Sequence, residues 1–137
     1  MDDEDPSAIR SIAVSPDDAV DAFVYGRENP GEAVLRVTPP FHGRMRARIH
    51  VYRVDDAHLT GAVHLSPDDV IEDDVLAAYP RLENALEDAA PDETEEVRKR
   101  HAERVGAWQE RARKAIVETV ALETADGSRR VDLKSLG

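Results

Sequence analysis

The chain has 137 residues, and its 29 acidic and 18 basic side chains give a formal net charge of −11 at pH 7. This length is typical of one domain, and the absence of cysteine excludes disulfides, thiolate metal sites and cysteine nucleophiles. No stretch approaches the roughly 18 consecutive apolar residues of a membrane-spanning helix, and the acidic first residues are unlike a signal peptide. We therefore expect a cytoplasmic protein with no membrane partner.

The basic residues are almost all arginine, since lysine occurs only at Lys99, Lys114 and Lys134. An acidic surface that is poor in lysine is typical of proteins adapted to molar salt, where a short screening length weakens the repulsion between carboxylates. The alternative is an arginine-rich product of a GC-rich genome in an ordinary cytoplasm. Neither interpretation identifies a function.

The N-terminal half predicts one helix between short strands. Residues 1–8 are expected to form a flexible acidic tail, which is followed by a strand over residues 9–14. A Ser-Pro-Asp-Asp sequence then starts a helix over residues 15–25, because serine caps a helix, proline suits its first turn and aspartate favours its positive end. Residues 33–38 and 44–54 are predicted strands, and proline and glycine separate them.

The C-terminal half predicts a long helix and a final hairpin. Residues 59–65 form a strand, and a second Ser-Pro-Asp-Asp sequence opens an acidic stretch of short helices or loops. A long helix over residues 94–117 carries one apolar stripe. The stripe comprises Val97, His101, Val105, Trp108, Ala112, Ala115 and Ile116. Residues 119–124 and 129–133 pair as a hairpin around an Asp-Gly turn.

These elements predict an α+β fold in a single domain over residues 9–137. About six strands are joined mostly by short turns, which favours a mostly antiparallel sheet. The long C-terminal helix and the shorter N-terminal helix are expected to cover one face of that sheet.

One predicted strand has a regular polar face. Its apolar residues Met45, Ala47, Ile49 and Val51 alternate with Arg44, Arg46, Arg48, His50 and Tyr52. Arginine binds phosphate bidentately and stacks on bases, so this face predicts binding of a polyanion such as single-stranded nucleic acid. Arg36 on the preceding strand would extend the face if it points the same way, and Phe41 would add a stacking ring.

Three alternatives stay open for this row. The arginines could be ordinary surface residues paired with acidic side chains, in which case Glu or Asp would lie opposite them on neighbouring strands. The same face could bind an acidic protein or a second copy of the chain, forming a homo-oligomer. The third alternative is an enzyme with a cryptic pocket between the sheet and the long helix. The acidic body of the protein opposes tight DNA binding.

The sequence contains no recognisable metal or catalytic motif. His50, His58 and His64 could approach one another on adjacent strands, but no histidine pair has the close spacing of a zinc motif. There is no nucleophile elbow, phosphate-binding glycine loop or dinucleotide fingerprint. We therefore predict no catalytic residue, no metal site and no cofactor.

Two segments resemble an uncharacterised protein family of haloarchaea. They are residues 9–14, with the sequence IRSIAV, and residues 34–51, which run from VLRVTPPF to GRMRARIHV. The likeness extends to the helix around Trp108 and to the final hairpin, and so covers most of the chain. It implies a salt-adapted cytoplasmic protein of unassigned activity, and it transfers no catalytic or binding residue.

Overall fold

The computed structural model describes residues 6–29, 31–52, 62–87, 89–124 and 127–136. The strands of this part are β1 (Ser11–Val14), β2 (Glu32–Val37), β3 (Arg44–Tyr52), β4 (Val63–Leu65), β5 (Thr119–Thr124) and β6 (Gly127–Ser135). Its helices are α1 (Pro16–Glu28), α2 (Asp73–Ala77), α3 (Leu82–Glu87) and α4 (Thr94–Arg113). Short 3-10 turns occur at Pro6–Ala8, Pro67–Asp69 and Pro91–Glu93. Within these residues, no helix has both the length and the apolar composition needed to cross a membrane.

The strands form one strongly curled sheet with the order β4-β2-β3-β1-β6-β5. β1 runs parallel to both of its neighbours, β3 and β6, whereas the other three pairings are antiparallel. The α+β prediction is confirmed, but the sheet is mixed and not mostly antiparallel. Both parallel pairings are non-local in sequence, and the alternation of apolar and polar residues carries no information on the direction of a distant neighbour.

Strand β3 belongs to both halves of the sheet. Its first residues, Arg44–Ala47, pair with β1, and its later residues, Arg48–Tyr52, pair with β2 on the other edge. Where β3 extends past the end of β1, the Ile49 N–H donates to the Asp18 carboxylate of α1 at 3.4 Å. This side chain therefore takes the place of a strand neighbour that β1 no longer supplies.

The core lies between the sheet and α1. Ile12 and Val14 of β1 and Leu35 and Val37 of β2 are fully buried. The buried residues of α1 are Ala19, Val20, Ala22 and Phe23. α1 packs directly on β2 and β3, while α4 packs chiefly on α1 and the short helices. The cover that the sequence predicted for one face of the sheet is thus supplied mainly by α1.

Three aromatic rings join α4 to α1 and to the segment after α2. The ring centroid of Trp108 lies 5.1 Å from that of Phe23 and 4.9 Å from that of Tyr79. The indole N–H of Trp108 donates to the Val75 carbonyl at 2.7 Å, and the side chain is only 4% exposed. Trp108 is therefore a core anchor, as its place on the predicted apolar stripe indicates.

The long helix ends at Arg113, before the predicted end at residue 117. The next residues extend and pair with the segment that precedes α2: the Glu72 N–H donates to Ala115 and the Val117 N–H donates to Val70, each at 2.9 Å. Apolar residues at 115–117 fit this pairing as well as they fit a helical stripe. Periodicity alone therefore places the helix end too late.

The predicted hairpin of β5 and β6 is present, but β6 is longer at both ends than the predicted strand over residues 129–133 and begins at Gly127 of the predicted turn; Asp126 of that turn lies outside the described residues. Gly127 has a φ of 104°, in the left-handed region that favours glycine. Residues 6–8, which composition assigns to the flexible tail, form a 3-10 turn, and the Ser7 carbonyl accepts a hydrogen bond from Arg129 of β6. This turn is therefore attached to the hairpin.

Replacing Trp108 with phenylalanine is expected to lower the free energy of unfolding by about 2 kcal/mol, because the hydrogen bond to Val75 is lost and the smaller ring leaves a gap. Urea denaturation followed by far-UV circular dichroism measures the change. Tyr25→Phe is the matched control, because the Tyr25 hydroxyl makes no hydrogen bond within the described residues. Equal losses in both variants would contradict the role given to the indole N–H.

A pH-dependent effect is expected at Asp21 of α1. Its pKa is raised above the usual 3.8, mainly because partial burial disfavours the charged carboxylate; Asp17 and Asp18 add to the shift and Arg113 opposes it. Because the pKa of Asp21 is higher in the folded than in the unfolded state, its contribution to the free energy of unfolding is fully present at low pH. That contribution is lost as pH rises through the folded-state pKa. Asp21→Asn should therefore be more stable than the wild type at pH 7, and the gain should disappear at pH values below 3.8.

Urea denaturation at several pH values checks this expectation. Asp92→Asn removes the same charge from an exposed 3-10 turn, so it controls for the general relief of negative charge. If the free energy of unfolding rises equally in both variants at pH 7, the effect comes from the lower net charge and not from the surroundings of Asp21.

Candidate functional site

The predicted arginine row lies on the face of the sheet that points away from α1. Arg44, Arg46 and Arg48 of β3 are exposed, whereas Ala47 between them is buried. Ile49 shares the face of Ala47 and is 38% exposed. The alternation in the sequence therefore correctly places three arginines in solvent.

The strand register shows what lies opposite these arginines. On the β1 side the paired residues are Ser11 and Ala13, and on the β2 side Arg36 pairs with Arg48. Residues that pair directly point to the same face of a sheet, so Arg36 belongs to the row's face. No carboxylate lies directly opposite the three arginines of β3 in these described registers.

The same face continues across β1 onto β6. Lys134 pairs with Ala13 and so points to the same side as the arginines. Three carboxylate residues of the described strands fall on this face by register: Asp132 on β6, Glu123 on β5 and Glu32 at the start of β2. The basic face is defined here as Arg36, Arg44, Arg46, Arg48 and Lys134.

Four other arginines of the described residues pair with carboxylates, whereas others, such as Arg98 and Arg104 of α4, form no ion pair with a described residue. Arg113 lies 2.7 Å from both Asp17 and Glu110. Longer ion pairs join Arg27 to Asp68 at 3.8 Å, Arg100 to Glu96 at 4.0 Å and Arg111 to Asp74 at 3.8 Å. By contrast, the three arginines of β3 and the lysine of β6 form no ion pair with any described residue. The basic face thus keeps its charge in a protein that is acidic overall.

Arg36 lies beside two histidines. Its Nη1 is 3.3 Å from both ring nitrogens of His50, and His64 of β4 pairs with Arg36. One nitrogen cannot lie along both ring lone pairs, so the equal distances place the guanidinium over the face of the imidazole. The two imidazole centroids are 5.9 Å apart. The Nε of Arg36 is buried and makes no hydrogen bond within the described part of the chain.

The two predicted aromatic contacts have different positions. Phe41 is 2% exposed and packs in the core, so its ring cannot stack on a ligand as the sequence analysis expected. The Gly43 carbonyl accepts hydrogen bonds from the backbone N–H groups of Arg10 and of Ser11, the first residue of β1, and these bonds hold the connection against the sheet. Tyr52 ends β3, and its side chain lies outside the described residues.

His50 of β3 and His64 of β4 do approach one another, but they do so across β2 and not on adjacent strands as predicted. His58 falls outside the described residues, and within the described ones no group of three or more His, Asp or Glu is arranged to hold a metal ion. The long helix does line a cavity of about 630 Å³, but its lining comes from helices and their connections and not from the sheet.

Lys134 is a member of the basic face that the sequence pattern does not reveal. It alternates with the buried Val131 and Leu133, which marks it as an outward-facing residue. Nothing in the sequence indicates that β6 lies two strands from β3, so only the sheet order brings Lys134 to the arginines.

Comparison with the curated proteins and with the solved structures found no match to the chain. The profile of one protein family matches residues 1–137. The chain therefore belongs to the family described as "Domain of unknown function (DUF8009)".

Proposed function

We propose that the protein is a non-enzymatic binding module that holds single-stranded nucleic acid against the basic face through its phosphates. The observation that carries this proposal is the direct pairing of Arg36 with Arg48, in a row that has no opposing carboxylate. The alternative interpretation, in which these arginines are surface residues paired with acidic side chains, predicts Glu or Asp directly opposite them on the neighbouring strands.

The paired arginines have an energetic consequence. Like charges directly opposite each other across two strands destabilise a sheet, by an amount comparable to the roughly 0.2–1 kcal/mol of a favourable pair. A bound anion between Arg36 and Arg48 would convert this repulsion into two attractions. The partly buried guanidinium of Arg36, with its unused Nε–H, supplies a directed donor for such an anion.

The spacing of the row suits a repeating anion. Arg44, Arg46 and Arg48 occupy alternate positions of one strand, so their Cα atoms recur at about 6.6 Å. A single-stranded chain can adjust its backbone to a fixed row of charges because its phosphates are joined by several rotatable bonds. A rigid duplex cannot follow one strand of a curled sheet in this way.

The position of Phe41 changes the expected mode of binding. Because this ring is in the core, phosphate contacts must supply most of the affinity, and base stacking supplies less than in folds that present several aromatic rings. We therefore propose binding with little sequence preference and with a strong dependence on salt.

The acidic remainder of the protein limits which polyanions can approach. Its charges act over about 8 Å at physiological ionic strength and over about 3 Å at 1 M salt. We propose that the protein works in a salt-adapted cytoplasm, consistent with its acidic and lysine-poor composition. There, direct arginine contacts would hold the phosphates, because dissolved salt weakens the gain from counterion release.

Replacing Arg44, Arg46 and Arg48 together with glutamine is expected to weaken binding of a labelled single-stranded oligonucleotide at least 100-fold. Three charge-assisted contacts of about 1 kcal/mol or more each would be lost. Fluorescence anisotropy with poly(dT) and poly(U) oligonucleotides measures the affinity. The matched control replaces Arg98, Lys99 and Arg104, which are exposed on α4, with glutamine and removes the same charge.

Two outcomes would contradict the proposal. One is that the sheet variant, the control variant and the wild type bind the oligonucleotides with equal affinity. Absence of binding by all three proteins counts as this outcome. The other is tighter binding of poly-glutamate than of either oligonucleotide, which would assign the basic face to an acidic protein.

The salt dependence gives a second measurement. For single strands, the slope of log K against log salt is about −0.7 for each phosphate that the protein neutralises. The slope of the triple arginine variant should therefore be shallower than that of the wild type by about 2. Potassium chloride is varied over a range in which the far-UV circular dichroism spectrum does not change. A slope that the three substitutions leave unaltered would show that these arginines do not contact phosphate.

A further inference from the structure

A second concentration of positive charge lies in the cavity that adjoins the long helix. This cavity has a volume of about 630 Å³, within the usual range of pockets for small ligands. It lies where the end of α1, the connection from α2 to α3 and one turn of α4 meet. None of its lining residues belongs to a strand of the sheet.

Two arginines and a histidine make up most of the polar lining of this cavity. Arg27, Arg81 and His101 line it, against the single carboxylate of Glu28. Arg81 is the only arginine or lysine among residues 54–94, a segment with a net charge of −11. Within the described residues, no ion pair joins Glu28 to any of the three. Positive charge thus faces this cavity in the most acidic part of the chain.

The arginine at the end of α1 is held in position by an aromatic ring. The guanidinium carbon of Arg27 lies 4.6 Å from the centroid of Phe23, within the range of a cation–π contact. Its ion pair with Asp68 is long, at 3.8 Å, and both side chains are about half exposed, so that pair holds the arginine weakly. An anion in the cavity would therefore not have to compete with a strong ion pair for this guanidinium.

A protonated phenol completes the polar lining. The Tyr79 hydroxyl donates to a Glu28 carboxylate oxygen at 3.3 Å. Burial, and then the charge and hydrogen bond of Glu28, raise the pKa of Tyr79 to about 12. The phenol therefore stays protonated at neutral pH and acts as a hydrogen-bond donor, not as a base.

The rest of the lining is apolar and well supported. Leu76, Pro80 and Leu82 contribute aliphatic surface. The Tyr79 ring packs edge-on against Trp108 and Phe23, with interplanar angles of 85° and 77°. This contact fixes the Tyr79 ring on the core of the protein, and the hydrogen bond from its hydroxyl to Glu28 holds that carboxylate at the edge of the cavity.

From these contacts we infer that the cavity binds a small organic anion with an apolar body, such as an aromatic carboxylate. The acid group would lie toward Arg27 and Arg81, and the body would pack against Leu76 and Leu82. A ligand of this kind matches both the cationic and the apolar parts of the lining. The site is independent of the nucleic-acid proposal, because it shares no residue with the basic face.

Trp108 provides a direct readout, because it is the only tryptophan in the sequence and its ring touches Tyr79. Titration with phenylacetate should change its emission in a saturable way, and the neutral analogue phenylacetamide should bind about tenfold more weakly. Arg81→Gln should weaken phenylacetate binding about tenfold and leave phenylacetamide binding unchanged, since a charge-assisted hydrogen bond is lost in one case only.

Two controls and a second variant of the lining complete the test. Lys99→Gln removes the same charge from the opposite side of α4, and it should bind phenylacetate like the wild type. The triple arginine variant of β3 should also bind phenylacetate normally, which separates this site from the basic face. His101→Gln gives a second variant of the lining, and circular dichroism shows whether each variant is folded.

The inference fails if phenylacetate and phenylacetamide bind equally, or if folded Arg81→Gln and His101→Gln both bind phenylacetate like the wild type. It also fails if neither probe gives a saturable change, by fluorescence or by NMR shifts of residues around Tyr79. If Lys99→Gln weakens phenylacetate binding as much as Arg81→Gln does, the loss is a general effect of net charge. That result would also overturn the inference.

Discussion

The parallel pairing of β1 with β3 and β6 is the constraint on which the rest of the structure depends. β1 has only four residues, but two of them, Ile12 and Val14, are fully buried between the sheet and α1. Its two edges join an N-terminal half of the sheet, made of β2, β3 and β4, to the C-terminal hairpin. Loss of either pairing would separate these halves and divide the core.

The same short strand creates the basic face. The outward residues of β1 are Ser11 and Ala13, which are too small to cover their neighbours. Long cationic side chains from β3 on one side and from β6 on the other can therefore extend over the centre of the sheet. A larger or acidic residue at either position would block the face or neutralise it.

Positive charge is thus concentrated in two places that suit different ligands. The basic face is exposed and repeats at strand spacing, which matches an extended chain of anions. The cavity beside α4 is concave and partly apolar, which matches one anionic group on a compact body. Elsewhere, several arginines lie next to carboxylates. Among the described residues, the acidic side chains are therefore close to some arginines and absent from the immediate neighbourhood of others.

Much of the secondary structure could be predicted, because local signals determine it. The alternation in β3 indicated an outward arginine row, and the apolar stripe indicated that Trp108 lies in the core. The partners of these elements could not be predicted. Whether Arg36 shares the face of Arg48, and whether Lys134 joins it, depends on strand register between distant segments.

Phe41 shows a different limit of sequence interpretation. A single aromatic residue after two prolines has no periodic neighbours, so nothing local distinguishes an exposed ring from a buried one. The hydrophobic effect places it in the core once the connection closes over the sheet. The parallel direction of β1 was missed for a related reason, since strand direction is a property of pairs and not of single strands.

The position of β6 beside β1 also bears on how the protein folds. The register of Ser11 with Asp132 joins segments from nearly opposite ends of the chain, so this contact closes a very long loop. Folds dominated by such distant pairings form slowly. Until β6 leaves the ribosome, one edge of β1 has unpaired backbone groups beside the apolar Ile12 and Val14. A nascent chain is therefore exposed to aggregation through that edge until its last strand arrives.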